Sequence, residues 1–157
     1  MTSEEKTQIK LLSPEDFDAW LPLWRGYQAF YKTDIPAGTT KLTWDRILDP
    51  AEPVFGALAL LDGRAVGMVH WIMHRSCWTA GDYCYLQDLF VESDVRGAGI
   101  GRKLIEEVYA RAAAAHCSRV WWSAVDARNK SGRDATVRPY RGPLGIRAVP
   151  QDPGVST

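Results

Sequence analysis

The residues best suited to chemistry lie between Asp88 and Arg102. A carboxylate sits in an apolar run, Asp88-Leu89-Phe90-Val91, followed by a short acidic turn and then by Arg96-Gly97-Ala98-Gly99-Ile100-Gly101-Arg102. A strand here feeds a glycine-rich loop, and the loop opens a helix. That order suits anion binding: the first N–H groups of a helix have no acceptor within it, so they converge on a phosphate, and the helix dipole adds favourable potential. Glycines let the backbone approach closely. Arg96 and Arg102 can supply charge to a pyrophosphate. The competing reading is a glycine-rich strand-to-helix turn that binds nothing.

Three phosphate-binding patterns separate on residue identity. A P-loop needs Lys-Ser or Lys-Thr after its last glycine, and Gly101 is followed by Arg102-Lys103. The dinucleotide fingerprint needs a glycine at 102, where Arg stands. The third pattern is Arg or Gln, two residues, Gly, one residue, Gly or Ala, and Arg96, Gly99 and Gly101 fit it fully. With the strand before the loop, the spacing from Val91 to Arg96, the helix after it and the downstream Asn129, the chain from about residue 8 to 130 resembles the GNAT superfamily of N-acetyltransferases. The run Trp20-Leu21-Pro22-Leu23-Trp24 with Tyr27, Phe30 and Tyr31 resembles, more narrowly, its histone or polyamine acetyltransferase-like branch.

The resemblance implies an acetyl-CoA-dependent N-acetyltransferase that moves the acetyl group directly to a primary amine of a small molecule, polyamine or protein, without a metal. It implies that Leu89, Phe90 and Val91 hold the thioester arm through main-chain groups, and that a backbone N–H there polarises the thioester carbonyl. It assigns the pyrophosphate to the N–H groups of Gly97, Ala98, Gly99, Ile100, Gly101 and Arg102, and a hydrogen bond to the cofactor arm to Asn129. An amine acceptor starts as an ammonium with a pKa near 10.4, so a base or a water chain must take its proton. Asp88, beside the expected thioester, is the first candidate. A structural carboxylate that caps a turn or pairs with Arg is the competing reading. Glu92 is weaker, because it falls in the solvated turn. Tyr140 does not match the family's leaving-group acid, so that role is not transferred to it. The family also admits a homodimer.

The elements that must position these residues read off in order. Residues 8–12 form a strand. Ser13-Pro14-Glu15-Asp16 starts a helix, with Ser13 able to cap it and Asp16 at capping-box spacing. Phe17, Trp20, Leu21, Trp24, Tyr27 and Tyr31 recur at three- and four-residue spacing, so one helix face is apolar. Most of that stripe is core, with Tyr27 or Tyr31 as candidates for an acceptor cleft. Pro36 and Gly38 break the helix, and a shorter one follows over 40–48 with Leu42, Trp44, Ile47 and Leu48. Strands 54–61 and 64–74 flank Asp62-Gly63, a hairpin turn. A strand over 82–91 leads to the loop. A helix from about Gly99 to His116 presents Ile100, Leu104, Ile105, Val108 and Ala112. A strand covers 119–125, with Trp121 and Trp122 on opposite faces. This order predicts an α/β (α+β) domain over 1–131. The resemblance makes it a mixed, mostly antiparallel central sheet with helices on both faces and splayed central strands.

The remaining features exclude more than they assign. Lys plus Arg and Asp plus Glu are both 19, so the net charge is zero and a strongly basic nucleic-acid binder is not expected. No apolar run approaches the roughly 20 residues of a membrane span, and the N-terminus has no signal-peptide core. Three cysteines, Cys77, Cys84 and Cys117, make no disulfide framework and fit a reducing, cytoplasmic setting. His70 and His74 lie four apart on one strand near Cys77 and Cys84. Core or cleft histidines are the preferred reading over a metal site, since the spacing matches no zinc pattern.

Residues 132–157 hold four of the nine prolines, Pro139, Pro143, Pro150 and Pro153, and lack periodicity. They read as an atypical tail. The family instead continues with a Leu-Tyr helix, a Gly-Phe turn and a final strand. Back-translating residues 132–157 with one nucleotide dropped permits a Leu-Tyr pair, a Ser-Gly-Phe turn and a Tyr-x-Lys strand end. The expectation is therefore a shifted reading frame from about residue 132. Codons across that junction that cannot encode these residues would overturn it. Such a tail would leave the strand at 119–125 with an unpaired edge and would impair turnover, the alternative being a non-catalytic acyl-CoA-binding module.

Overall fold

The computed structural model describes residues 6–122. Strand β1 (Thr7–Leu11) leads through a 3-10 turn (Pro14–Asp16) into helix α1 (Phe17–Phe30), then helix α2 (Ala37–Leu48). Strands β2 (Val54–Leu61), β3 (Arg64–His74) and β4 (Tyr83–Val91) follow, then a second 3-10 turn (Ser93–Val95), helix α3 (Ile100–Ala114) and strand β5 (Arg119–Trp121). The five strands lie in chain order in one sheet. β1 to β4 are antiparallel, and β5 joins β4 in parallel across α3.

Local chemistry explains the boundaries. At the start of α1 the Ser13 N–H donates to Asp16 Oδ2 at 2.9 Å, closing the expected box. Burial pushes the Asp16 carboxyl up, but hydrogen bonds from Lys10 and Ser13 outweigh it and hold the group below its usual value. The β2–β3 turn places Asp62 at φ 49° and Gly63 at φ 83°, the positive pair that matches strand twist. Helix α2 starts at Ala37, three residues earlier than expected. Pro36 precedes the first turn, where its missing N–H costs nothing, and Gly38 is carried inside the helix. The buried Gln28 joins the two helices: its side-chain oxygen accepts the Ile35 N–H at 2.8 Å.

The sheet buries both faces. Alternation along β2 sends Ala57 and Ala59 to one side and Leu58 to the other. Helix α3 covers the first side with Ile100, Leu104, Val108, Tyr109 and Ala112, against Val69, Trp71, Cys84, Leu86 and Val120. Helices α1 and α2 cover the second with Trp20, Leu23, Trp24 and Trp44, against Leu58 and Met68. The expected stripes hold with one addition, Leu23, which joins the core; Leu42 of α2 is 45 % exposed. Trp122 enters the α3-side core, while Trp121 stacks on Tyr85 with ring centroids 4.1 Å apart. β4 and β5 pair only from Tyr83–Tyr85 to Arg119–Trp121. The expected divergence of these strands, Asn129 and the whole 132–157 tail fall outside the described residues.

Cys84 and Cys117 are buried and Cys77 is exposed, and none forms a disulfide. Burial, with Cys117 nearby, pushes the Cys84 thiol up to about 12. Burial, then Asp82, raises Cys117. Thiolate is the reactive form, so the folded protein titrates one fast thiol with an aromatic disulfide reagent, Cys77, and the other two only on unfolding. Two or more fast thiols would contradict this packing.

Candidate active site

The glycine-rich loop is built from the end of β4. The Glu92 N–H donates to Val66 O at 2.8 Å, tying the strand end to β3. The chain then turns through Ser93–Val95 and rises into α3. Gly97 has φ 92° and Gly99 has φ 76°, and a Cβ at either would meet nothing within 4 Å. The loop needs these glycines for backbone conformation and for the open space above it. Gly99 directly precedes the first helical residue, and no side chain caps the helix among the described residues. The first helical bond runs from the Lys103 N–H to Gly99 O at 3.1 Å, so the N–H groups of Ile100, Gly101 and Arg102 precede it.

Two details differ from expectation. The Ala98 N–H is used inside the loop, donating to Val95 O at 3.4 Å, so the row of donors over Gly97–Arg102 is interrupted. The guanidinium of Arg102 is turned along α3, with Nε donating to Glu106 at 3.1 Å. That pair is exposed at i, i+4, holds the side chain weakly and leaves it able to swing. Arg96 stays at the loop. Its Nε donates to Val91 O at 3.2 Å, and its guanidinium lies 5.5 Å from the Phe30 ring centroid.

A groove of about 580 Å³ runs along this loop. Its walls are Phe30 and Tyr31 from the end of α1, Leu89, Phe90 and Val91 from β4, Val95, Arg96 and Gly97 from the turn, and Gly99, Ile100 and Gly101 from the helix start. Eight of the residues expected to bind the cofactor are thus brought to one cleft. Sequence alone does not mark Phe30 as a groove wall, because nothing in a local pattern shows that α1 ends beside this loop, nor Val95, a single apolar residue in a polar turn. Tyr31 lines the groove, whereas Tyr27 stacks on Trp24 at 5.5 Å. Gly26 sets how closely α1 approaches, since a Cβ there would sit 2.9 Å from the Phe90 ring.

Substituting Gly99 by Ala tests the loop directly. A left-handed residue with a Cβ costs about 1–2 kcal/mol. The new methyl also enters the space above the helix start. The expected result is a modest fall in melting temperature and a loss of acetyl-CoA affinity on the order of tenfold, about one charge-assisted hydrogen bond. Unchanged affinity would place the phosphates elsewhere.

Asp88 lies one residue before the groove, and a β-bulge aims it. His70 pairs with Asp88 and Trp71 with Leu86, so Gln87 has no partner across β3. Strict alternation would put Leu86 and Asp88 on one face. The extra residue breaks the alternation: Leu86 joins the α3-side core, and Asp88 turns to the α1 side. There Asp88 is 8 % exposed, and its Oδ2 lies 2.9 Å from His70 Nδ1. Its described partner is thus a histidine, not an arginine. The indole N–H of Trp20 donates to His70 Nε2 at 2.9 Å. Glu92 stands beyond the strand at the turn, as its weaker ranking expected.

The second histidine is engaged separately. His74 Nε2 accepts the Trp121 indole N–H at 2.9 Å, and its Nδ1 lies 2.7 Å from Arg75 O. Among the described residues no cluster of three His, Cys, Asp or Glu could hold a metal, and no helix is long and apolar enough to cross a membrane.

Comparison with known proteins agrees with this geometry. The family described as acetyltransferase (GNAT) matches residues 17–135. The D-amino-acid N-acetyltransferase HPA3 of Saccharomyces cerevisiae is 38% identical over 120 residues, which are 75% of this chain and 74% of that protein. Among solved structures, the aminoglycoside N-acetyltransferase AAC(6')-Iy in complex with CoA superposes with a TM-score of 0.77 at 15% identity, covering 100% of this chain and 98% of that one. A ribosomal-protein-alanine N-acetyltransferase from Brucella melitensis biovar Abortus 2308 gives 0.64 at 22% identity, over 74% of this chain and 80% of that one. These two share the fold. The strand–loop–helix geometry, the family match and the 38% identity together show that the chain belongs to the GNAT family of acetyltransferases.

Proposed function

We propose that the chain transfers acetyl from acetyl-CoA to the primary amine of a small molecule, with Asp88 as the proton acceptor. The observation that carries this reading is the order of three features along one stretch of chain: a buried carboxylate on β4, an apolar groove lined by the next three residues of that strand, and an uncapped helix start on the groove's far wall. Acetyl-CoA fits these residues. The N–H groups of Gly97 and of Ile100 to Arg102 would hold the pyrophosphate, aided by Arg96, and Leu89, Phe90 and Val91 would hold the arm. Asn129 is proposed to complete that grip. Bound acetyl-CoA supplies an electrophilic carbonyl carbon and a thiolate leaving group. Asp88 takes the proton released as the amine attacks. Phe30 and Tyr31 exclude water from the groove.

A small amine acceptor is supported by HPA3, a D-amino-acid N-acetyltransferase, and by the aminoglycoside acetyltransferases of the same fold. A protein amine is the second acceptor class to assay. The narrower histone or polyamine-like assignment has less support, because its aromatic run mostly packs: Trp20 and Trp24 are at most 5 % exposed. Three cysteines without a disulfide support a reducing compartment. The family match ends at residue 135, close to the proposed frame shift at 132.

The first test is thermal melting with acetyl-CoA against NAD. Ligand at about a hundred times its Kd adds roughly 2.7 kcal/mol. That is a rise of roughly 5–10 °C for a chain of this size. A shift with acetyl-CoA alone is expected; a cooperative melt with no shift would sink the reading. Thiol release is then followed with D-alanine, D-phenylalanine, spermidine, an aminoglycoside and a lysine peptide.

A further inference from the structure

We propose that His70, locked in one tautomer by Trp20, is a positioning residue that presents Asp88 to the acceptor amine. This deepens the reading of Asp88 as proton acceptor and rests on it. The donor inventory fixes the protons. An indole nitrogen only donates, so His70 Nε2, 2.9 Å from Trp20 Nε1, accepts and carries no hydrogen. The ring proton therefore sits on Nδ1 and points at Asp88 Oδ2, 2.9 Å away. A doubly protonated ring would set one N–H against another and is incompatible with this arrangement. The chain of donors runs one way, from Trp20 to His70 to Asp88, and ends on the carboxylate.

The assembly has little freedom to move. Trp20 is fully buried and His70 is 2 % exposed. Trp20 stacks against Trp24 with centroids 5.9 Å apart, and Trp24 Nε1 donates to Thr40 in α2 at 3.1 Å. Behind the imidazole, Gly56 of β2 faces His70, and a Cβ there would lie 3.2 Å from its Cδ2. The ring is thus clamped between α1 and the backbone of β2. Its Nε2 is occupied by Trp20, so His70 has no ring nitrogen left to take the substrate proton itself. What it does is hold one carboxylate oxygen in place and leave the other oxygen turned to the amine.

The tautomer is read in the intact, nitrogen-15-labelled chain by long-range proton–nitrogen correlation. The expected His70 pattern is a protonated Nδ1 and a bare Nε2. An Nε2–H tautomer, or a doubly protonated ring at neutral pH, would overturn the proposal without any variant. His70→Phe keeps the ring and removes the donor. Its kcat, with the fastest amine of the panel above, should fall roughly ten- to hundredfold, the worth of a hydrogen bond to a charged group. Its KM for acetyl-CoA should not change. His70→Asn, which keeps an N–H near the Nδ1 position, should recover part of that loss, and Trp20→Phe should lose the single tautomer and lower kcat. Full kcat in His70→Phe beside a dead Asp88→Asn would refute the positioning role and spare the base. Normal turnover in Asp88→Asn would refute the base, and the proposal falls with it. The acetyl-CoA melting shift checks the fold of each variant. Should His70→Phe not fold, the wild-type tautomer decides.

Discussion

Replacing Asp88 by Asn is expected to lower kcat by about 10²–10⁴-fold, the usual contribution of a positioned general base. The substitution is nearly isosteric. The amide oxygen still accepts from His70 Nδ1–H, so the 2.9 Å contact and the packing around it survive. What disappears is the capacity to take a proton. The acetyl-CoA melting shift should persist, because Asp88 is not among the residues that line the groove. Steady-state turnover beside the melting shift makes the check. Turnover within a few-fold of the parent would reduce Asp88 to a structural carboxylate, and a water chain would then have to carry the proton.

Truncating Trp20 to Ala is expected to destabilise the fold by about 3–5 kcal/mol, the range for removing a large aromatic from a core. Trp20 is fully buried and packs against Phe17, Trp24, Trp44 and His70 at centroid distances of 4.8–6.0 Å. Two helices and the sheet meet at this side chain, so collapse around the cavity would have to move all three. The change also leaves the buried His70 Nε2 without its donor, a further loss of order 1–3 kcal/mol. Domains of this kind hold about 5–15 kcal/mol in total, so a large share of the molecules should unfold near body temperature. Urea unfolding measures it. A loss below about 1 kcal/mol would mean that the aromatic cluster is not the anchor of α1. The contrast between the two variants is itself informative: one removes chemistry and keeps the fold, the other removes the fold's hub.

Much of the site is legible in local patterns. Arg96, Gly99 and Gly101 mark the loop because an uncapped helix start entered through a left-handed residue needs glycines at fixed short spacing. That is a property of a few consecutive residues. Asp62-Gly63 marks the hairpin for the same kind of reason. Local spacing does not fix where every side chain points. Leu42 shares a short helix with the buried Trp44 and yet faces solvent, and the Arg102 guanidinium lies along α3 beside Glu106. The partnership of His70 with Asp88 could not be read, since eighteen residues separate them. Its one available signal was that both fall in expected neighbouring strands. The register that joins them depends on the bulge at Gln87, and no residue type there announces it.

The sequence by itself determined the order of the described elements, the family and the glycine-rich strand-to-helix loop, because these depend on periodicity and on glycines within a few residues of one another. Tertiary structure alone decided which way the carboxylate points. A single extra residue in β4 reverses the alternation of side chains. That turns Asp88 from the α3-side core to His70 and Trp20, and α1 then closes over the groove with Phe30 and Tyr31. Bulge, strand register and helix approach are set by packing between distant segments, so they exist only once the sheet has formed.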